Sequence, residues 1–452
     1  MIRFKNSAGS PSTTGLTRQL IRLATPIVLS NLAYTLLGVT DTLFMGRVST
    51  TALGAVGLAS MMFFTSLLIL RGTISGTMPF VSRMYGAGDK PAGGRYLQYF
   101  LILALLISPA AVLLPWVFKG FLWLFRPEPA VARQILLFTS IRLWEIPFSL
   151  TSTALISFMI AVGNTRTPMF LSWMTVAVNI FANYVLIFGK FGLPALGIAG
   201  SALGTVIAVV LQAVIAGVVV FIRYREDYEL MSWRLPTVAD LSRMLRVGFP
   251  MGMVDFVEVA AYTTFFALIS KLGTAELAAS QIANQITALA FMPGFALSAA
   301  TSSLVGRYIG ASDLHLAEGA GYRGARVGIG FMGLVGVIFL LFPELLARLF
   351  TQASDVLQIT VTLLRMMAIY QVFDAMNIIF RGALNGAGDT RFTALVTFVV
   401  SWGLFIPVVY LGAFILDWGV VGAWMGAFTY IIAMGIVFSL RFRSGGWKAI
   451  EI

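Results

Sequence analysis

The chain has 452 residues, of which 58% are hydrophobic and only 11% are charged, and its mean hydropathy is +0.89. In soluble proteins roughly half of the residues are apolar and about a quarter are charged, so this composition excludes an ordinary soluble fold and indicates a membrane protein. The formal net charge of +12 comes from basic residues in short loops between apolar blocks, which indicates membrane topology and not nucleic-acid binding. The chain has no cysteine, which excludes disulfides and thiolate metal sites.

Apolar blocks long enough to cross a bilayer recur along the whole chain. Because a bilayer core needs about 20 helical residues, the sequence predicts an all-α integral membrane protein with twelve transmembrane helices. The predicted spans lie near residues 20–45, 53–78, 96–118, 134–160, 168–189, 197–221, 244–270, 277–301, 323–343, 356–384, 391–413 and 419–440.

The longest polar interruption falls between the sixth and seventh spans. It divides the chain into an N-terminal tail (1–19), an N-lobe (20–222), an interlobe loop (223–243), a C-lobe (244–440) and a C-terminal tail (441–452). With both termini on the same side, 20 loop lysines and arginines lie on that side against 7 on the other. The positive-inside rule therefore predicts a multi-pass protein of a plasma or bacterial inner membrane with both termini in the cytosol.

The two halves of the sequence repeat each other. Residues 21–26 match residues 245–250, and residues 81–89 match residues 305–313, both at an offset of 224. An even number of spans in each half keeps both copies in the same orientation. The repeat therefore predicts two pseudo-symmetric six-helix lobes, and transporters built in this way bind substrate between the repeats.

Five carboxylates fall inside predicted spans: Asp41, Glu145, Asp255, Glu258 and Asp374. A charged side chain at the bilayer centre costs roughly 3 kcal/mol on insertion scales, so each of the five is a candidate functional residue. Arg142 precedes Glu145 by three residues on the same helix face, and an internal ion pair would account for both. Asp255 lies about three turns from the start of its span, where a structural or interfacial role accounts for it.

Glu258 and Asp374 have no close cation at helical spacing, and Tyr370 lies one turn before Asp374. Carboxylates brought together at low dielectric hold a proton or capture a cation, so Glu258, Tyr370 and Asp374 predict a C-lobe site for H⁺, or for Na⁺ at the two carboxylates. The alternative is that Arg365 or Arg381 pairs with these carboxylates.

The N-lobe carries a different set of polar residues in its spans. Asp41 is accompanied by Asn179, Asn183 and Thr205, whose oxygen atoms suit a hard cation or a hydrogen-bonded carboxyl group. We expect a second cation, proton or substrate site there; the alternative is that the two asparagines only join helices.

Two prolines occupy equivalent positions in the repeat. Pro26 and Pro250 each lie one to two turns inside a predicted span, where the missing N–H favours a bend that is either a static kink or a hinge.

Several motifs resemble the multidrug and toxic compound extrusion (MATE) family, and its NorM-like branch in particular. They are residues 38–42, 248–250, 256–258, 368–375, 179–183 and 189–192. The resemblance extends over essentially all twelve spans, and it implies a V-shaped 6+6 antiporter that expels cationic or amphipathic compounds in exchange for Na⁺ or H⁺. It also implies coupling sites at Glu258, Tyr370 and Asp374 in the second lobe and at Asp41, Asn179 and Asn183 in the first. Residues 279–281 depart from the family pattern, because Ser280 stands where a histidine is expected.

The expected function is therefore cation-coupled multidrug antiport by alternating access, carried out by a monomer in a lipid bilayer with no cofactor beyond the coupling ion. A flippase for a lipid-linked precursor is the main alternative, and it would favour a cation-rich cleft. An enzyme is disfavoured, because no nucleophile, base and orienting group occur together and His315 is the only histidine.

Overall fold

The computed structural model describes residues 13–125 and 127–452, and every regular element in these ranges is a helix. The first half contains α1 (Thr13–Gly46), α2 (Thr50–Ser75), α3 (Thr77–Ala87), α4 (Lys90–Ile107), α5 (Leu114–Phe125), α6 (Pro129–Arg142), α7 (Ile146–Ala161), α8 (Arg166–Phe188) and α9 (Ile198–Tyr224). The second half contains α10 (Val238–Ile269), α11 (Thr274–Gly310), α12 (Leu314–Leu341), α13 (Pro343–Arg348), α14 (Ser354–Gly386), α15 (Thr390–Val400), α16 (Ile406–Tyr410) and α17 (Gly419–Ser444).

These helices form twelve membrane-spanning stretches. Eleven stretches in the described part of the chain are long and apolar enough to cross a bilayer, and α11, which bends by 43° near residues 288–290, is the twelfth. The predicted all-α membrane fold is confirmed. Several spans consist of two helices in line. A proline lies in or directly after three of the breaks, namely Pro109, Pro147 and Pro407, where the missing N–H interrupts the hydrogen-bond ladder.

The buried apolar residues form two large cores, one in each half. Each core also includes the beginning of one helix from the other half. One core runs from Met45 to Leu230 and also takes in Met244 and Val247 at the start of α10. The other runs from Ala261 to Trp447 and also takes in the start of α1, through Leu16, Leu20, Leu23, Ala24 and Ile27. Each of α1 and α10 therefore begins in the core of the opposite half and ends in the core of its own. Pro250 lies at the crossover of α10, between Val247 and Ala261, whereas Pro26 lies just before the crossover of α1, beside Ile27, the last α1 residue in the opposite core.

Ordered structure continues beyond the predicted C-terminal boundary at residue 440. Helix α17 runs to Ser444, and Trp447 is fully buried with its ring stacked on Phe442 at 4.8 Å. The indole N–H of Trp447 donates to the carbonyl of Phe442 at 2.7 Å. Part of the predicted C-terminal tail is therefore packed on the second half, through Phe442 and Trp447. Residues 1–12 of the predicted N-terminal tail lie outside the described residues, and α1 already begins at Thr13.

The two halves meet closely where α3 ends against α11. A Cβ atom on Gly86 would lie 1.8 Å from the carbonyl oxygen of Arg307, and one on Gly310 would lie 1.8 Å from that of Arg83. Both pairs are related by the 224-residue offset, so the contact is reciprocal. We call this end of the bundle, which carries Arg18, Arg83, Arg166 and Arg307, the basic end.

Candidate functional site

The N-lobe polar residues form one hydrogen-bonded cluster. The amide of Asn183 donates to Asp41 at 2.6 Å and to Asn179 at 3.1 Å. Asn179 donates to the hydroxyl of Thr205 at 3.3 Å, and Thr205 donates to the carbonyl of Ser201 at 3.1 Å. The structure thus brings together all four residues that the sequence selected, from α1, α8 and α9.

Glycine makes this cluster possible. Helices α8 and α9 pack so closely that a Cβ atom on Gly204 would lie 2.1 Å from the side-chain oxygen of Asn183. Gly200, one turn earlier, similarly touches the backbone of Leu186. The GxxxG spacing on α9 therefore lets the asparagine side chains occupy the space between the two helices.

Arg142 and Glu145 form the expected internal ion pair. Arg142 donates two hydrogen bonds to the Glu145 carboxylate, at 3.1 and 2.7 Å, and Glu145 is completely buried. The guanidinium also lies over the ring of Phe63, 4.4 Å from its centre. Electrostatic interactions join Asp41 to Arg142 and Glu145 to Arg71, so the N-lobe charges form one network.

In the C-lobe, Arg381 pairs with Glu258. The guanidinium of Arg381 donates to the Glu258 carboxylate at 2.5 Å, and the Tyr430 hydroxyl donates to the same oxygen at 3.0 Å. The alternative of arginine pairing therefore holds for Glu258, because α14 brings Arg381 beside α10 although the two residues are far apart in sequence. Arg365 has no ion pair in the part of the chain that the structure describes. Asp255 lies one turn before Glu258, and its side chain is exposed in the middle of α10.

The Asp374 side chain is buried, and its carboxylate has few hydrogen-bond partners. Its one hydrogen bond among the described residues comes from Asn377 at 3.4 Å, and its second carboxylate oxygen has no partner. The side-chain oxygen of Asn377 and both polar atoms of Gln371 also lack partners there. Tyr370 and Tyr262 interact electrostatically with Asp374. Because buried polar atoms are nearly always satisfied, these unpaired atoms mark a place that can receive a cation or a proton.

The two lobes differ in charge balance. The four N-lobe charges cancel when all are ionised: Asp41, Glu145, Arg71 and Arg142. The C-lobe places three carboxylates near one guanidinium, which would leave a net charge of −2 when all are ionised: Asp255, Glu258, Asp374 and Arg381. The C-lobe group therefore attracts positive charge more strongly.

Several residues of these groups were not predicted from the sequence. Gln371 and Asn377 lie three residues on either side of Asp374 on α14, so helical spacing could have found them. Tyr430 comes from α17, and no sequence signal places it beside Glu258. In the described ranges, no group of three or more His, Cys, Asp or Glu side chains is arranged to hold a metal ion.

The prolines and the missing histidine are also accounted for in the structure. Helices α1 and α10 are continuous through Pro26 and Pro250.

Ser280 is buried and accepts a hydrogen bond from the indole of Trp424 at 3.0 Å, so it joins α11 to α17.

Comparison with known proteins gives a consistent result. The MatE family model matches residues 26–185 and 250–411, and the two matches begin 224 residues apart, in register with the internal repeat. A probable multidrug resistance protein NorM from Thermotoga maritima is 30% identical, over 98% of this chain and 96% of its own length. A probable multidrug resistance protein NorM from Pseudomonas putida is 35% identical over 90% of each chain.

Solved structures share the fold. An outward-facing multidrug resistance MATE family transporter of the MOP superfamily superposes with a TM-score of 0.86 at 19% identity, over 97% of this chain and 98% of that one. The eukaryotic MATE transporter AtDTX14 gives a TM-score of 0.85 at 18% identity, over 96% and 97% of the two chains. The matched family model, the NorM relatives and the twelve-helix fold together establish that the chain belongs to the MatE family, a family of membrane transporters and not of enzymes.

Proposed function

We propose that the chain is a cation-coupled multidrug antiporter that exports cationic or amphipathic small molecules in exchange for H⁺ or Na⁺. The relatives named as multidrug resistance proteins NorM, from Thermotoga maritima and Pseudomonas putida, support export of small molecules. The observation that carries the coupling is the buried Asp374 carboxylate, which has one oxygen without a partner in a group of net negative charge.

The coupling ion is assigned to the C-lobe. Glu258 is already held by Arg381 and Tyr430, so its charge is largely compensated. Asp374 has no such partner, and the amide oxygens of Gln371 and Asn377 beside it are the oxygen ligands that a hard cation prefers. The phenol of Tyr370 completes this site. We therefore centre the H⁺ or Na⁺ site on Asp374, with Glu258 as a second carboxylate.

The N-lobe cluster of Asp41, Asn179, Asn183 and Thr205 serves as a second coupling or substrate site. Its network is electrically balanced only while Asp41 is ionised. A cationic substrate near Asp41 would compete with Arg142 for the same carboxylate. We assign a secondary role to three further charged residues, which set the charge of each lobe: Arg142, Glu145 and Asp255.

Alternating access requires that the two lobes move relative to each other. Pro250 lies where α10 passes from one core to the other, and Pro26 lies just before that point on α1, so both are close to where a relative movement of the lobes must be absorbed. We therefore favour hinges at these prolines. A coupling ion can drive the movement only if its affinity differs between the two states.

The protein acts as a monomer in a plasma or bacterial inner membrane with both termini in the cytosol, and it needs no cofactor beyond the coupling ion. A lipid-linked precursor carries pyrophosphate, which calls for an excess of cations in the cleft. The C-lobe group has the opposite charge balance, so flippase activity is the weaker candidate.

Drug efflux from proteoliposomes under separately imposed Na⁺ and pH gradients tests this proposal. Asp374→Asn should abolish gradient-driven efflux, and Asp41→Asn and Glu258→Gln should each reduce it, with folded protein retained in the membrane. Asp355→Asn, an exposed carboxylate on the same helix as Asp374, is the matched control and should transport normally. Full gradient-driven efflux by all three variants would overturn the coupling assignment.

A further inference from the structure

A cleft rich in arginine lies at the basic end between the starts of α1 and α8. Its volume is about 780 Å³, and it is lined by Thr17, Arg18, Ile21, Arg22 and Arg166. Arg18 and Arg22 are four residues apart and share one face of α1. Arg166 is the first residue of α8, which packs along α1. Three guanidinium groups therefore converge on one space.

No carboxylate in the described part of the chain neutralises these guanidinium groups. Among residues 13–125 and 127–452, the side chains of Arg18, Arg22 and Arg166 take part in no hydrogen bond or ion pair. Some basic residues elsewhere are paired, as Lys90 is with Asp227 and Lys448 is with Glu318. The first twelve residues of the chain contain two basic side chains and no acidic one, so they cannot supply the missing negative charge.

The backbone adds to the positive potential of the cleft. The first turn of α8 contains no acidic residue, and the side chain of its N-cap residue, Thr165, makes no capping hydrogen bond. The N-terminus of a helix carries a partial positive charge and favours an anion. Together with the three guanidinium groups, this is the chemistry that binds a phosphate group with two parallel hydrogen bonds per arginine.

The surface next to the cleft indicates which phosphate compound fits. Phe170 and Trp173 follow Arg166 by four and seven residues on the same side of α8, and they are 67% and 41% exposed. This exposed apolar face runs from the cleft into the part of α8 that spans the membrane. A ligand with its phosphate among the arginines would have its hydrocarbon chains along this face, as a phospholipid does.

The second half repeats two of the three arginines, and Ser242 stands at the position equivalent to Arg18. Arg246 corresponds to Arg22 at an offset of 224, and Arg391 corresponds to Arg166 at an offset of 225. Helix α10 packs on α15 as α1 packs on α8. The positive-inside rule is satisfied equally well by lysine, so it does not explain why arginine occupies the equivalent positions in both halves.

We propose that Arg18, Arg22 and Arg166 bind the phosphate headgroup of an anionic membrane phospholipid. The purified, delipidated full-length chain is titrated with phosphatidylglycerol or phosphatidylcholine of the same acyl chains, and bound lipid is counted by native mass spectrometry. We expect at least about tenfold preference for phosphatidylglycerol, since each basic residue near a membrane surface contributes about fivefold. The triple variant Arg18→Ala, Arg22→Ala, Arg166→Ala should lose this preference.

Two further variants separate site binding from general charge and from misfolding. The matched control replaces three exposed arginines outside the cleft, Arg234, Arg326 and Arg443, by alanine and should keep the preference. The corresponding triple lysine variant retains the charge and the positive-inside signal, but should bind several-fold more weakly because lysine cannot form the paired hydrogen bonds. The proposal is overturned if the alanine variant of the cleft keeps the preference or if the control loses it equally.

A parallel titration with glycerol 3-phosphate distinguishes a lipid from a soluble phosphate. We expect it to displace bound phosphatidylglycerol only at concentrations at least about a hundredfold higher, because it lacks the chains that would contact the face of Phe170 and Trp173. Displacement at equal concentration would show a site for soluble phosphate compounds, and the assignment to a lipid would be wrong.

Discussion

Arg83 and Arg307 join the two halves reciprocally at the basic end. Arg307, in the second half, donates to the carbonyls of Ala161 and Ile160 at the end of α7, at 2.9 and 3.0 Å. Arg83, in the first half, donates to the carbonyl of Ala387 beyond the end of α14, at 3.2 Å. Both arginines thus bind carbonyl groups at the C-terminal end of a helix in the opposite half, where a cation is favoured.

The double variant Arg83→Ala, Arg307→Ala should loosen the basic end. Hydrogen bonds from charged groups contribute about 1.5–3 kcal/mol each, so their loss should raise the population of states with separated halves by tenfold or more. Spin labels on Ala87→Cys and Ala311→Cys, which are exposed and equivalent in the repeat, report this separation. Labelling is specific because the chain has no cysteine of its own.

We expect longer and broader label distances in the double variant by pulsed electron paramagnetic resonance. Arg443→Ala, which removes an exposed arginine with no ion pair among the described residues, should leave the distances unchanged. An unchanged distribution in the double variant would show that these hydrogen bonds do not hold the halves together.

Gly204→Ala should disturb the N-lobe cluster. The new Cβ would overlap the side chain of Asn183, and relief requires either rotation of that side chain away from Asp41 or separation of α8 and α9. Overpacking of this kind costs about 1–3 kcal/mol, so the thermal unfolding midpoint in detergent should fall and efflux should decrease. Gly217→Ala is the control on the same helix, because its nearest contact would be at 3.9 Å. Equal behaviour of the two variants would contradict the proposed close packing.

Trp447→Ala should destabilise the second half. Replacement of a buried tryptophan by alanine costs about 3–5 kcal/mol, because it leaves a cavity against Phe442. Trp447→Phe keeps an aromatic ring there and loses one hydrogen bond, so it should cost only about 1 kcal/mol. Thermal unfolding in detergent measures both. If the alanine variant unfolds like the parent, residues beyond 444 do not contribute to folding.

Glu145→Gln should be strongly destabilising, whereas the double variant Glu145→Leu, Arg142→Met should be less so. Loss of one partner leaves a largely buried guanidinium uncompensated, which costs about 3–5 kcal/mol, and removal of both charges avoids that cost. The exposed pair of Glu344 and Arg348 is the control, because Glu344→Gln should cost less than about 1 kcal/mol. Thermal unfolding of the four proteins gives the comparison, and a double variant less stable than Glu145→Gln would refute it.

Local spacing predicted the part of the site that lies on one helix, and the polar residues of the apolar spans predicted the N-lobe cluster, which joins three helices. The pair of Arg142 and Glu145 follows from a separation of three residues, and the N-lobe cluster follows from four oxygen-bearing side chains in otherwise apolar spans. The contact between Glu258 and Arg381 could only be left as an alternative, because it joins residues 123 positions apart. Spacing on α14 places Gln371 and Asn377 beside Asp374, but whether their polar atoms are paired depends on the neighbours that other helices supply.

The sequence by itself determined that the chain is a membrane protein, how many times it crosses the bilayer, and that its two halves are copies. The length of the apolar segments and the internal repeat can both be read from the chain alone. The tertiary structure decided which carboxylates are neutralised and which are not, and where α1 and α10 pass between the two cores. Those features depend on distances of a few ångströms between helices, and electrostatic energy at low dielectric changes steeply over such distances.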